Sequence, residues 1–364
     1  MNIFPKDLIC PSCGGSFEFD ISSRDLRCST CGDICSIPIN GVLNKFSLNK
    51  DLSEYPEFDL YEFDHVIECS SCGAKIVIPK NVSSVFCSYC GATSFLLKDK
   101  SHYIKPEGIL PFEITFEKAS AIFNNWIRSI PDAKLGLKKG FKLKDLSPVY
   151  FHYWVYECFV NCNYNALGGN VFFQDVGTEN KVHKERFVNW VNQNGDIECS
   201  FTGVIISGDK NRKEFIYMLE IFDLDKLRPF YSVYLNGFSS MIYTEDPLPC
   251  FEYAKGKINN ALTSEINKRI LLNFREAQVQ GMNVDYENVK FTPVLLPFWM
   301  GYYGFDSNIY DFIINGENGL INGNFPASKL KSSFMNIGNN LKNQSLGYIK
   351  DRIPKGISDL TQKK

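Results

Sequence analysis

The sequence predicts an α+β chain: two small β modules at the N-terminus, then a larger mixed domain with an antiparallel sheet and at least two helices. Three observations predict it. Four cysteines recur at a fixed offset near the N-terminus, two segments repeat apolar residues at helical spacing, and several aromatic or β-branched runs are separated by glycine- and asparagine-rich turns. The chain has 364 residues, 44% hydrophobic and 14% aromatic, enough apolar surface for one large core or two modest ones.

The first module, residues 1–48, carries Cys10, Cys13, Cys28 and Cys31. The second, residues 65–100, carries Cys69, Cys72, Cys87 and Cys90, each displaced by 59 positions from its counterpart. Each module reads Cys-x-x-Cys, fourteen residues, Cys-x-x-Cys, with a glycine after every second cysteine: Gly14, Gly32, Gly73 and Gly91. A chain that wraps closely around a sulfur-bound ion needs a residue that tolerates positive φ just past the second ligand. Two residues between paired cysteines let both thiolates reach one ion, and two such knuckles complete the tetrahedron that Zn²⁺ favours. The expectation is therefore two structural zinc ions, each in a closed four-sulfur site with no position for water or substrate. An iron–sulfur cluster is the rival for four cysteines, and ribbon spacing favours zinc over it. Modules this small need the metal to fold, since a structural zinc site contributes on the order of 10–16 kcal/mol. Cys35 reads as a half-buried strand residue rather than a ligand, and Cys158, Cys162, Cys199 and Cys250 read as core.

Residues 49–64 form an acidic linker, with Tyr55, Phe58 and Tyr61 available to dock on a neighbouring surface. Residues 1–100 hold nine Lys or Arg against thirteen Asp or Glu, which opposes a phosphate-gripping face. In the larger domain, residues 101–326, Thr115 is the expected N-cap of a helix carrying Ala119, Ile122, Phe123, Trp126, Ile127 and Ile130, ended by Pro131. Strands are expected at Val149–Val160, Arg186–Val191, Asp196–Ile206, Phe215–Phe222, Val294–Tyr303 and Asn308–Ile314, with a turn over 315–319. A long helix is expected from Cys250 to Phe274, with a stripe of Ala254, Ile258, Ala261, Leu262, Ile266 and Ile270. Residues 327–364 are a polar tail with eight basic and two acidic residues, and Leu330, Phe334, Ile337 and Leu341 at helical spacing. A solvated tail is the leading reading; a basic amphipathic segment on an anionic membrane or partner is the sharper one.

No apolar run approaches the roughly 20 residues a membrane-spanning helix needs. The N-terminus has no basic segment followed by an apolar stretch, so the expected location is cytoplasmic, with peripheral contact at the inner face of the membrane through the tail. The four histidines, His65, His102, His152 and His183, show neither ligand nor triad spacing, and no phosphate-binding Gly-x-x-x-x-Gly-Lys-Ser/Thr loop is present. The reading is a non-enzyme with no small-molecule substrate.

These segments resemble a bacterial family of double zinc-ribbon proteins often labelled as ribbons of the transcription-factor-IIB type. The likeness lies in the second ribbon from Cys69 to Cys90, Lys105-Pro106-Glu107-Gly108-Ile109-Leu110-Pro111-Phe112, the aromatic strand from Pro148 through Trp154, and Leu295-Leu296-Pro297-Phe298-Trp299 followed by Asn315-Gly316, Gly319, Gly323 and Pro326. The resemblance implies a zinc protein without catalytic residues; relatives that continue into membrane-spanning helices work with membrane-stress or scaffold proteins. The functional expectation is an adaptor or scaffold that binds other proteins. A nucleic-acid-binding ribbon protein, with aromatics such as Phe86 and Tyr89 stacking on bases, is the alternative.

Overall fold

The computed structural model describes residues 4–5, 8–48, 55–56, 65–69, 73–78, 95–97, 104–131, 136–178, 181–210, 214–235 and 238–326. The expectations on Cys72, Cys87, Cys90, His102, Phe58, Tyr61, Phe86, Tyr89 and the tail lie outside these residues. Mixed α and β structure is observed, with antiparallel and mixed sheets.

The N-terminal segment forms β1 (Phe17–Asp20), β2 (Asp25–Cys28) and β3 (Ile34–Cys35), a small antiparallel sheet in that order. Short strands follow: β4 (Phe46–Ser47), β5 (His65–Cys69), β6 (Lys75–Ile78), β7 (Phe95–Leu97) and β8 (Gly108–Ile109). Helix α1 (Phe116–Ser129) and one-turn α2 (Leu137–Gly140) precede the long strands β9 (Lys142–Thr178) and β10 (Lys181–Ser207). One-turn α3 (Glu214–Tyr217), β11 (Arg228–Pro229), β12 (Ser239–Met241) and helix α4 (Pro247–Leu271) lead to β13 (Glu276–Phe305), β14 (Asn308–Asn315) and β15 (Ile321–Gly323). Two 3₁₀ turns, Leu224–Lys226 and Ser232–Leu235, complete the order.

Two compact units result: one from 1–155, 205–250 and 291–326, the other from 156–204 and 251–290. Over the described residues the chain passes between them four times, because β9, β10, α4 and β13 each contribute to both.

In the first unit β13 pairs antiparallel with β14, from Phe298↔Asn315 to Phe305↔Asn308. The parallel partners are β8 with β13 (Val294↔Gly108) and β12 with β9 (Ser239↔Val149), so this sheet is mixed. Its core holds Ile76, Leu110, Phe151, Tyr153, Leu219, Met241, Leu296, Phe298 and Ile313. Helix α1 begins as expected: the Lys118 backbone N–H donates to Thr115 Oγ1 at 3.4 Å, and Ala119, Phe123 and Ile127 are buried. Phe123 stacks on Phe312 with ring centroids 4.1 Å apart. Gly301 lets Phe312 sit over the strand, since a Cβ there would lie 2.3 Å from the Phe312 ring and 2.8 Å from the Asp145 carbonyl oxygen.

The strand expected at Phe215–Phe222 is not formed; Glu214–Tyr217 is a helical turn and 218–223 carries no strand. The reason lies in a distant side chain. The buried Asn315 amide donates to the Leu219 and Ile221 carbonyls at 2.8 and 3.1 Å, and Asn318 donates to Ile221 O at 2.7 Å. Those amides satisfy carbonyls that a ladder would otherwise need to pair.

In the second unit β9, β10 and β13 pair, and α4 lays Ile258, Leu262, Ile266 and Ile270 on Cys158, Val160, Cys162, Ala166, Ile197 and Cys199. Each such aliphatic side chain contributes about 1.5–3 kcal/mol on full burial. The helix starts at Pro247, three residues before the expected Cys250, because proline's fixed φ and missing N–H suit the first helical position.

Candidate metal centre

The four cysteines of the first module converge. Cys10, Cys13, Cys28 and Cys31 bring their sulfurs within 4.8 Å of one another, with Cys10 Sγ 3.7 Å from Cys31 Sγ and Cys13 Sγ 3.5 Å from Cys28 Sγ. A tetrahedral ion with metal–sulfur bonds of about 2.3 Å separates its ligands by about 3.8 Å, so the spacing fits one ion among four thiolates. Each knuckle is built by the same backbone device. The Gly14 N–H donates to Cys10 O (2.9 Å) and Cys10 N–H to Gly15 O (2.7 Å); Gly32 N–H donates to Cys28 O (3.0 Å) and Cys28 N–H to Asp33 O (2.8 Å). Gly14 and Gly32 sit at φ +75° and +77°, where an L side chain is strained. The knuckles touch at Gly15, whose missing Cβ would lie 2.4 Å from Thr30 Oγ1.

Electrostatics among the sulfurs are unequal. The backbone N–H groups of Cys31 and Thr30 lower the Cys28 thiol to about 6. The Asp33 N–H favours a Cys31 thiolate, but the neighbouring sulfurs, Cys13 foremost, outweigh it and push Cys31 up to about 12. Crowded thiols share their protons in this way, and a dication would relieve the repulsion on ionisation. Cys35 stands outside the cluster, half-buried in β3, its thiol pushed up by burial and by Asp25 and Asp33.

Sequence reasoning missed the supports of this centre. Asp33 accepts from Ser12 Oγ at 2.8 Å and from Cys10 Sγ at 3.8 Å, so a carboxylate stands beside the ligand set. On the far side of the small sheet, Phe19 packs edge-on against Tyr234 and Phe238, 5.2 and 5.6 Å between centroids. Arg24, held at φ +60°, reaches Glu113 at 3.2 Å; Lys226 bridges Glu113 (3.2 Å) and the buried Glu317 (3.0 Å). A cleft of about 230 Å³ lies here, lined by Arg24, Leu110, Glu113, Lys226 and Arg228 among others. Arg24, Lys226, Glu113 and Glu317 are spent on one another, which fastens the small sheet to the larger one.

Of the second cysteine set, Cys69 is described: it is buried at the end of β5. Its backbone repeats the knuckle device, Gly73 N–H to Cys69 O at 2.8 Å and Cys69 N–H to Ala74 O at 2.9 Å, with Gly73 at φ +72°. Tyr55 docks as the sequence suggested, its hydroxyl donating to Ser47 O at 2.9 Å and its ring 5.1 Å from that of Phe291. His152 is core, between Trp154 and Tyr243, and His183 is exposed on β10. Among the described residues, no helix is long and apolar enough to cross a membrane.

No protein-family model matches the chain, and no solved structure matches it. It is similar to YdjG, an uncharacterized protein of Bacillus subtilis strain 168, at 25% identity over 327 residues, which cover 88% of this chain and 90% of that protein.

Proposed function

We propose that this protein is a zinc-stabilised, non-enzymatic adaptor of the double zinc-ribbon kind, with one Zn²⁺ held by Cys10, Cys13, Cys28 and Cys31 and a second by Cys69, Cys72, Cys87 and Cys90. The observation that supports the reading is the first set of four sulfurs, spaced for a single tetrahedral ion whose four positions they would fill. A site closed by sulfur shapes the chain and offers no open position for Lewis-acid chemistry. The shared knuckle backbone at Cys69 and Gly73, together with the 59-residue repeat, supports the second ion. The adaptor binds other proteins in the cytoplasm, at the inner face of the membrane where its basic tail favours anionic lipid.

Elemental analysis of the freshly purified chain tests the metal: two zinc atoms per chain are expected, and one or none, or a coloured redox-active cluster, overturns it. Affinity capture tests the role. Defined protein partners that are lost when Cys69 and Cys72 become serine support an adaptor. Capture of nucleic acid alone, with affinity falling steeply as salt rises, replaces it with the nucleic-acid reading.

A further inference from the structure

The outer edge of β10 contributes no cysteine of either four-cysteine set. Among the described residues, β10 pairs with β9 and with no other strand. From Val182 to Asn192 every side chain except Phe187 and Val188 is exposed, including Val182 at 63%, Trp190 at 40% and Val191 at 39%. An edge of unpaired N–H and C=O groups is a template for another strand, and proteins ordinarily blunt such edges with proline, bulges or central charges. The second unit does this at β13, which also pairs with β9: its alternation of exposure slips at Gln280–Gly281 and at Glu287–Asn288, where Asn288 is at φ +52°. The middle of strand β10, ahead of Gly203 at φ +72°, has no such device. Val182 to Thr202 contains no proline and no residue at positive φ, and Phe187 to Gly195 contains no charge.

The charges that flank this stretch are ordered. Lys184 and Arg186 lie on its N-terminal side, and Asp196 and Glu198 on its C-terminal side, all four exposed; Arg186 also pairs with Glu276 of β13 and Asp196 accepts from the Asn163 side-chain amide, so the test is built on Lys184 and Glu198. Both pairs have a spacing of two, so they point to one face of the strand. An antiparallel strand of the same sequence reverses that order and brings unlike charges opposite. One register matches both pairs at once: Arg186 against Asp196 and Lys184 against Glu198, each repeated by symmetry. That register sets Val191 against Val191 of the second copy and places the two Trp190 side chains diagonal to each other on the charged face, within reach of aromatic contact.

We propose that β10 is an interface between two copies of this chain, which pair antiparallel through their β10 edges about a two-fold axis at Val191. The pairing is isologous and closes as a dimer, leaving no free β10 edge for further addition. It goes beyond the adaptor reading and stands independently of it, because no metal ligand takes part.

Sedimentation velocity of the full-length chain over a wide concentration range tests the proposal. The wild type is expected to dimerise. Glu198→Lys is expected to weaken the dimer by about tenfold or more, since the symmetry places the like-charge clash twice. The double variant Lys184→Glu/Glu198→Lys exchanges the signs within each pair and is expected to restore the dimer. A wild-type chain that stays monomeric throughout overturns the proposal, and so does a dimer that Glu198→Lys leaves intact or that the charge exchange fails to restore. Thermal unfolding of each variant checks that the single substitution acts on association; a variant that is dimer-deficient because it is unfolded is replaced by Val191→Lys, which sets two like charges on the axis and is expected to give a folded monomer.

Discussion

Lowering the pH should destabilise this protein through His152. The ring is buried, with Trp154 and Tyr243 at centroid distances of 4.6 and 4.9 Å, and among the described residues no side chain hydrogen-bonds to either ring nitrogen. Burial favours the neutral ring and pushes the pKa from 6.5 down to about 3, opposed in part by the backbone of Ile104. Because the folded-state value is depressed, the stability contributed by the neutral ring is complete above pH 6.5 and is lost progressively as pH falls toward 3. Linkage sets the slope at about 1.4 kcal/mol per pH unit in that window, or about 2 kcal/mol between pH 6.5 and pH 5. Against a total of roughly 5–15 kcal/mol this is a large share. Urea unfolding of the wild type and His152→Leu at pH 7.5, 6 and 5 isolates the effect. Any protonation of cysteine ligands is common to both, so the difference between their slopes belongs to His152. The variant is expected to lose less stability than the wild type on acidification, by about 2 kcal/mol at pH 5. Parallel curves for the two proteins would refute the reasoning.

Three further outcomes are expected. Asn315→Ala removes a buried amide that donates to the Leu219 and Ile221 carbonyls and accepts from the Glu317 and Asn318 N–H groups, so unfolding free energy should fall by about 3 kcal/mol in urea titration. Phe19→Ala empties the contact with Tyr234 and Phe238 and should cost about 3 kcal/mol while leaving the zinc content unchanged, which pairs calorimetry with elemental analysis. Chelation of zinc should expose the Phe17–Cys28 hairpin to limited proteolysis well before the chain around Phe298 is cut, and equal protection of both regions would count against a metal-dependent ribbon.

Legibility in the sequence followed the range of the interactions. A cysteine knuckle is closed by backbone bonds spanning four or five residues, so Cys10 to Gly15 and Cys28 to Asp33 announce themselves by spacing and glycine placement. Helix α1 is equally local: its cap is Thr115 and its stripe is continuous. Strand β9 was visible only in its aromatic part. Beyond Val160 it carries Gly168, Gly169 and several asparagines, residue types of low strand propensity. The strand continues because those glycines make room for neighbours, Phe274 beside Gly168 and Val188 with Trp190 beside Gly169. The absent strand at 215–222 has the same cause at longer range, since nothing near Ile221 signals that Asn315 will take its carbonyl. The second unit also depends on the pairing of β9 with β13, which are distant in sequence, and no local pattern encodes that pairing.

The β1–β2 hairpin connects these two kinds of information. At its open end Cys28 pairs with Phe17, beside the sulfur cluster; two pairs further Phe19 faces Leu26, and past the closed end stands Arg24. Cys28 of the sulfur cluster and the residues that dock on the larger sheet therefore share one short ladder. Phe17, Phe19 and Leu26 are each at most 5% exposed, whereas Cys13 and Cys31 face solvent. Four antiparallel pairs are too few to hold a hairpin alone in water. The ion proposed at one end would supply what the ring and ion-pair contacts of Phe19 and Arg24 at the other lack. A ribbon docked in this way is part of the unit's architecture, so loss of the ion would disturb the surface around Glu113 and Lys226 as well as the knuckles themselves.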